Sequence, residues 1–247
     1  MDQQQPASAG PADTALIEDL VAANRVLAQH GVLDGFGHVS VRHNRDANRF
    51  LMSRSLAPEL VTAADIMEYD LDAGPIDAKG RGSYLERFIH GAIYKARPDV
   101  KAVVHNHSPS VIPFGISSVP LRPVYHMAAF IGAGLPVFDI RKGSGMTDML
   151  VSDAGRAAGL VEALGSHAAV LMRGHGATVV GPDIPFAVGR SIYLELGARL
   201  QKEAITLGGS ITYLDPQEAQ KVLDRGENTG YQRPWQLWKQ KAMEGGK

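Results

Sequence analysis

The residues with the clearest chemical potential lie in the stretch Lys101-Ala-Val-Val-His-Asn-His107. Small and β-branched residues predict a strand here, with Pro98 and Asp99 punctuating it before and Ser108-Pro109 stopping it after. Strand side chains alternate between faces, so His105 and His107 project from the same one and both imidazoles can reach a single cation. The plain alternative is a pair of histidines with ordinary structural partners. Downstream, the apolar run Ala168-Ala-Val-Leu-Met172 ends in Arg173-Gly174-His175-Gly176, where glycines on both sides of one histidine allow the backbone to come close to something. Upstream, Ser83-Tyr84-Leu85-Glu86 opens a predicted helix reaching about Ala96, with Leu85, Ile89, Ala92, Ile93 and Ala96 as its buried stripe and Glu86 at the stripe's edge. Ser83 to Glu86 is also a capping-box spacing, and a first-turn carboxylate suits the helix dipole, so Glu86 reads either as a cap or as a functional carboxylate. Together, three imidazoles and one carboxylate make the ligand set of a divalent transition metal.

The elements that must position these groups follow from turn signals and periodicity. Residues 1–12, rich in Gln, Pro, Ala and Ser, are expected to form a disordered tail, and 13–247 a single domain. Asp13 or Thr14 caps a helix with the stripe Leu16, Ile17, Leu20, Ala23 and Leu27, which ends at His30-Gly31. After the turn Gly35-Phe36-Gly37, residues 38–42, 49–53 and 66–71 read as three strands of an antiparallel meander. Beyond His107 come a short helix over 108–116, a helix over 125–131, a strand over 135–140 and a helix over 153–164 capped by Ser152. A short strand at 178–180 pairs with 168–172 across the Gly-His-Gly turn. The longest helix, 184–206, spans about 35 Å and buries Phe186, Ile192, Tyr193, Leu196 and Leu200. Two last helices, 216–223 and 234–243, are joined by residues 224–233. Hairpin links interleaved with helical crossovers indicate a mixed sheet covered by helices on both faces.

The chain has 247 residues and a net charge of -1 with both signs interspersed, which favours a small-molecule partner over nucleic acid or an anionic membrane. With no cysteine in the chain, disulfides, thiolate metal sites and cysteine nucleophiles are excluded, so histidine and carboxylate must do the chemistry. No signal pattern or membrane-length apolar run is present, and a cytoplasmic enzyme is the default expectation.

The block Glu86-Arg-Phe-Ile-His90, then Ala96-Arg-Pro-Asp99, Ala102-Val-Val-His-Asn-His107 and Gly174-His175-Gly176, resembles the class II aldolase/adducin family in order and spacing over roughly residues 14–210. The resemblance implies that His105, His107 and His175 bind one divalent ion per subunit, Mn2+ or Zn2+ with Fe2+ or Co2+ as further options. It makes Glu86 a ligand or an acid/base beside it. It also implies an α/β fold, a three-layer α/β/α sandwich with a mixed, largely antiparallel central sheet, assembled as a homotetramer with active sites at subunit junctions.

The chain departs from the sugar-phosphate aldolases of that family at three places. Gly37-His38 stands where they carry Gly-Asn, Ser53-Arg54-Ser55-Leu56 where they carry a Thr/Ser-Pro-x-Gly phosphate loop, and Tyr84-Leu85-Glu86 where they carry Ser-Ser-Glu. Phosphate-binding groups are therefore missing, while Arg54 offers a planar partner for a carboxylate. The expected activity is that of the family's decarboxylase branch, acting on an ortho-hydroxy aromatic or pyridine carboxylate. His38 is a second catalytic candidate, unless it merely finishes a turn. Arg54, unless it forms only a surface salt bridge, and Ser53 are candidates for binding substrate. Tyr231 and Arg233 join them because the family brings a C-terminal tyrosine from a neighbouring subunit into the site, against an ordinary loop role. The alternatives are an aldolase, epimerase or dehydratase of a hydroxy-carbonyl compound, and a non-catalytic adducin-like domain, against which retention of all four metal-site residues argues.

Overall fold

The computed structural model describes residues 7–244. In chain order, α1 (Thr14–Gln29) leads to β1 (His38–Arg42), β2 (Arg49–Ser53), β3 (Ile66–Asp70), α2 (Arg87–Ala96) and β4 (Ala102–Asn106). There follow α3 (Ile112–Ile116), a 3-10 helix at His126–Ile131, β5 (Val137–Phe138), α4 (Arg141–Ser144), α5 (Ala154–Leu164), β6 (Ala169–Met172) and β7 (Gly176–Gly181). Three helices, α6 (Ile184–Leu207), α7 (Pro216–Thr229) and α8 (Gln232–Glu244), complete the described chain. The strands form one sheet in the order β3-β2-β1-β4-β7-β6-β5, with every pair antiparallel except β5 and β6.

Alternation along the strands sorts side chains into two cores, one on each face. Val39, Val41, Val104, Ala177 and Val179 pack with α1, α6 and α8, whereas Phe50, Met52, Met67, Val103 and Val180 pack with Ile89 and Ile93 of α2 and Leu160 and Leu164 of α5. The molecule is thus the expected three-layer α/β/α sandwich with a mixed, largely antiparallel sheet. His105 shares the face of Val103, so the chemistry faces the α2/α5 layer. No helix among the described residues is long and apolar enough to cross a membrane.

Several local expectations change. α2 begins at Arg87, not at Ser83: Leu85 is 63% exposed, and Ser83 accepts a hydrogen bond from the Tyr69 hydroxyl instead of capping a helix. The cap of α5 is Asp153, whose carboxylate accepts from the Arg156 amide at 2.9 Å, and not Ser152. The strand expected over 135–140 shrinks to Val137–Phe138, the helix over 108–116 to Ile112–Ile116, and the segment 125–131 is a 3-10 helix from His126. Residues 224–233 are mostly helical, and α6 buries Ile192 as expected but Ala187, Val188, Leu194 and Ala198 in place of Phe186, Tyr193, Leu196 and Leu200. Small side chains there let the helix lie close to the sheet, while Phe186 and Tyr193 turn toward Tyr231.

The expected tail also divides. Residues 1–6 lie outside the described residues, but Ser8 and Ala9 bind the Glu68 carboxylate on β3 at 2.5 and 2.8 Å. Glu68 is buried, so these two donors replace hydrogen bonds that its carboxylate oxygens would otherwise make to water.

One close approach controls the sheet beside the histidines. A Cβ at Gly176, the first residue of β7, would stand 2.0 Å from the Asn106 carbonyl oxygen and 2.9 Å from the His107 Cα. Gly176→Ala should therefore destabilise the fold by about 3 kcal/mol, since neither backbone can move without losing ladder bonds. Chemical denaturation measures this, and an unchanged midpoint would show that the approach is slack.

Candidate metal centre

Each ligand candidate arrives on a different element. His105 is the fourth residue of β4, His107 lies just past its end, His175 sits in the turn between β6 and β7, and Glu86 precedes α2. The β4–β7 register sets His105 opposite Thr178 and Asn106 opposite Ala177, which brings the β6–β7 turn beside His107. One donor atom from each of Glu86, His105, His107 and His175 lies within 4.8 Å of the others. His107 Nε2 and His175 Nε2 are 3.1 Å apart, and Glu86 Oε2 is 3.3 Å from His105 Nε2 and 3.4 Å from His175 Nε2.

The donor set fits a divalent cation. Both ring nitrogens of His105 are buried without a hydrogen bond, a costly state for an imidazole whose Nε2 converges with three other donors. At His175, Nδ1 lies 3.2 Å from the Met149 carbonyl, so Nδ1–H donates there and Nε2 keeps its lone pair for the cluster. His107 is held neutral: burial, then His105 and His175, lower its pKa to about 4. For Glu86 burial raises the pKa, but His105 and His175 outweigh it and hold the carboxyl well below the usual carboxylate range. Glu86 Oε1 accepts the Val151 amide at 2.8 Å, leaving Oε2 toward the histidines. Its side chain makes no capping bond, so the cap reading fails.

Met149 and Val151 were not foreseen. Met149 has φ 68°, a left-handed conformation that costs a non-glycine residue about 1 kcal/mol or more, and its carbonyl orients His175. Nothing in the types of residues 147–151 announces a supporting role. Asp34, 3.9 Å from His107 Nδ1, and the exposed Phe36, whose ring centroid is 6.4 Å from that of His107, also border the cluster.

The other predicted residues divide. His38 pairs with His105 across β1 and β4, and their ring centroids are 5.1 Å apart. Arg54 lies farther out: Asp65 accepts from its Nε at 2.6 Å, while its charge acts on Tyr84, whose ring centroid is 4.7 Å from that of His38. Ser53 is not available to a substrate as expected, because it is buried and its hydroxyl meets the Tyr84 hydroxyl at 3.0 Å. The Tyr84 hydroxyl donates in turn to the Leu56 carbonyl. Tyr231 and Arg233 are not brought to this cluster within the chain: Tyr231 packs on Gly189, Phe186 and Tyr193 of α6, across the sheet, and Arg233 follows it near Tyr193.

His105 is fully buried and His107 only partly so, which makes His107 the cleaner position for removing a donor. His107→Ala should lower divalent-metal affinity by more than the roughly 10- to 100-fold typical of changes to a residue that only supports a ligand, with a melting temperature near wild type. Metal titration followed by calorimetry tests it, and stoichiometric metal retained at wild-type affinity would remove His107 from the set. Glu86→Gln keeps an oxygen for the Val151 amide but loses the charge. Its turnover should fall by on the order of 10² or more without a comparable loss of thermal stability, as steady-state assay and a melting curve would show.

Comparison with known proteins agrees with this geometry. The chain is 34% identical over 93% of its length, and 95% of the relative's, to Decarboxylase tropJ of Talaromyces stipitatus. It is 29% identical over 88% of its length, and 90% of the relative's, to the 3,4-dihydroxyphthalate decarboxylase of Arthrobacter keyseri. Its fold matches an aldolase II superfamily protein from Pseudomonas syringae with a TM-score of 0.80, at 22% identity over 96% of this chain and 95% of that one. An L-fuculose 1-phosphate aldolase from Glaciozyma antarctica matches with a TM-score of 0.74, at 25% identity over 96% and 94% of the two chains. The family described as Class II Aldolase and Adducin N-terminal domain matches residues 18–202, and the chain belongs to that family.

Proposed function

We propose that this protein is a divalent-metal-dependent carbon–carbon lyase that decarboxylates an ortho-hydroxy aromatic or pyridine carboxylate. The observation that carries the reading is a complete four-donor cluster beside a wall where the Tyr84 hydroxyl donates to the Leu56 carbonyl and Ser53 to Tyr84, leaving neither proton for phosphate. The decarboxylase names of relatives that match nearly the whole chain support the same choice.

His105, His107 and His175 would hold the ion through unprotonated ring nitrogens, with Glu86 either closing the set or working as acid/base beside it. When bound, the ion supplies Lewis acidity that stabilises negative charge developing on the chelated substrate oxygens. Three nitrogens and one oxygen suit Mn2+ or Zn2+, with Fe2+ and Co2+ also compatible. In the acid/base role Glu86, held at Oε1 by Val151, takes the ring-hydroxyl proton at Oε2 and returns it to the carbon bearing the carboxylate. The carbon–carbon bond then breaks, its electron pair stays in the ring, and carbon dioxide leaves. His38 borders the same space as the second catalytic group. Arg54 directs Nη1 and Nη2 to an anionic group of the substrate while Asp65 fixes its Nε.

The active unit is a homotetramer with sites at subunit junctions. Phe36, Leu85 and Ile116 expose apolar side chains around the cluster, and Tyr231 and Arg233, on the other face of the sheet, would serve a neighbour's site.

Metal-free protein reloaded with each ion should release carbon dioxide from a hydroxy-aromatic ortho-carboxylate. The ring methyl ether should be inert because it can neither chelate nor give up a proton. Arg54→Ala should raise KM on the order of tenfold, the loss of one charge-assisted hydrogen bond. Equal turnover of the methyl ether, or release of an aldehyde from a hydroxy-carbonyl compound in place of carbon dioxide, would overturn the decarboxylase reading in favour of an aldolase.

A further inference from the structure

Behind His38 runs a chain of buried hydrogen bonds that the reaction above leaves unused. His38 Nδ1 lies 2.7 Å from His90 Nε2, His90 Nδ1 lies 2.5 Å from Ser40 Oγ, and Ser40 Oγ lies 2.8 Å from the Tyr94 hydroxyl. β1 supplies His38 and Ser40 two residues apart on one face, and α2 supplies His90 and Tyr94 four residues apart on one face. The strand period and the helix period therefore meet in a single line of side chains. All four are buried.

Counting protons decides which way the bonds point. Each neutral imidazole carries one N–H and each hydroxyl one O–H. His38 and His90 are buried, and their ring nitrogens meet only each other and the Ser40 hydroxyl, with no carboxylate among the described residues in hydrogen-bond contact to offset the cost of a buried charge. Burial also raises Tyr94 well above its ordinary value, outweighing the Arg42 guanidinium over its ring. Four neutral groups in line must donate in one direction. Tyr94 has two acceptors, the Lys101 carbonyl at 3.4 Å, which already accepts the Arg42 amide at 2.7 Å, and Ser40 at 2.8 Å. The nearer one takes the phenol proton, so Ser40 donates to His90 Nδ1 and His90 Nε2–H donates to His38 Nδ1. The proton of His38 is then on Nε2, an atom with no hydrogen bond among the described residues that is not among the sealed, unpartnered ones.

We propose that His90, Ser40 and Tyr94 are positioning residues that lock His38 as a neutral Nε2–H donor toward an anionic substrate oxygen beside the metal ligands. The identity of that oxygen rests on the decarboxylase reading; the locked tautomer rests only on the buried chain. The chain is a lock and not a proton wire, because its far end is a phenol that burial keeps protonated. It also explains why the catalytic proton is assigned to Glu86: a neutral imidazole whose other nitrogen already accepts a hydrogen bond serves as a donor and not as a base.

The test reads tautomers directly. Long-range proton–nitrogen correlation spectra of metal-free, histidine-labelled wild-type protein should show His38 and His90 both as Nε2–H. An Nδ1–H signal for His38 would overturn the proposal, and this measurement needs neither metal nor substrate, so it stands even if no hydroxy-aromatic carboxylate is turned over. Ser40→Ala should mix the His38 tautomers and lower kcat/KM about tenfold at unchanged metal affinity, the scale of losing a supporting hydrogen bond. Ser40→Thr should restore both. If Ser40→Ala does not fold, Tyr94→Phe leaves Ser40 free to turn and should give the same mixing. Wild-type kcat/KM in a folded variant with mixed tautomers would exclude a positioning role.

Discussion

The missing Cβ of Gly176 is the space in which the ligand cluster is built. Any side chain atom there would collide with the Asn106 carbonyl, so β7 can lie against the end of β4 only because this residue has none. That approach places the β6–β7 turn, and His175 with it, beside His107. Gly174, the residue before His175, turns at φ +64°, a conformation glycine adopts without the cost other residues bear. Two glycines thus let a hairpin turn deliver His175 to the donor cluster.

Once the histidines converge, the carboxylate has to be brought to them at low dielectric. Glu86 achieves this by not being helical: it stands just before α2, accepts one backbone amide from residue 151, and faces imidazoles with its second oxygen. Desolvation alone would protonate it. His105 and His175 keep it charged, and a divalent cation held by the cluster would do the same. The left-handed Met149 belongs to the same arrangement, because one short segment delivers both the carbonyl that orients His175 and the amide that fixes Glu86.

The wall beside the cluster sets what can bind. Tyr84 lies against His38 and ties its hydroxyl to Leu56 and Ser53, so the groups around it are hydrogen-bonded among themselves and present aromatic surface. Arg54 brings positive charge behind that surface. Such a combination matches a flat anionic ring better than a sugar phosphate. Below it, β1 and α2 share a polar line through an otherwise apolar face, in which each side chain is hydrogen-bonded to the next.

Much of this was legible in the chain. The strand pairs 38–42 and 49–53, the α5 and α6 helices and the two-residue spacing of His105 and His107 follow from local periodicity and turn residues, which depend on neighbours in sequence. The order and spacing of four motifs likewise carried the family and picked out the four donors that converge. What the chain alone could not decide are matters of direction and distance. Ser83 and Glu86 have capping spacing, yet tertiary contacts with Tyr69 and Val151 outcompete the local bonds. Ser53 and Arg54 have suitable chemistry, but only the packed structure shows that one is sealed by Tyr84 and the other anchored to Asp65. His90, Ser40 and Tyr94 look like ordinary core positions until β1 and α2 are superposed. Strand and helix periods are written in the sequence, but whether two such faces meet is set by the packing of elements far apart in the chain.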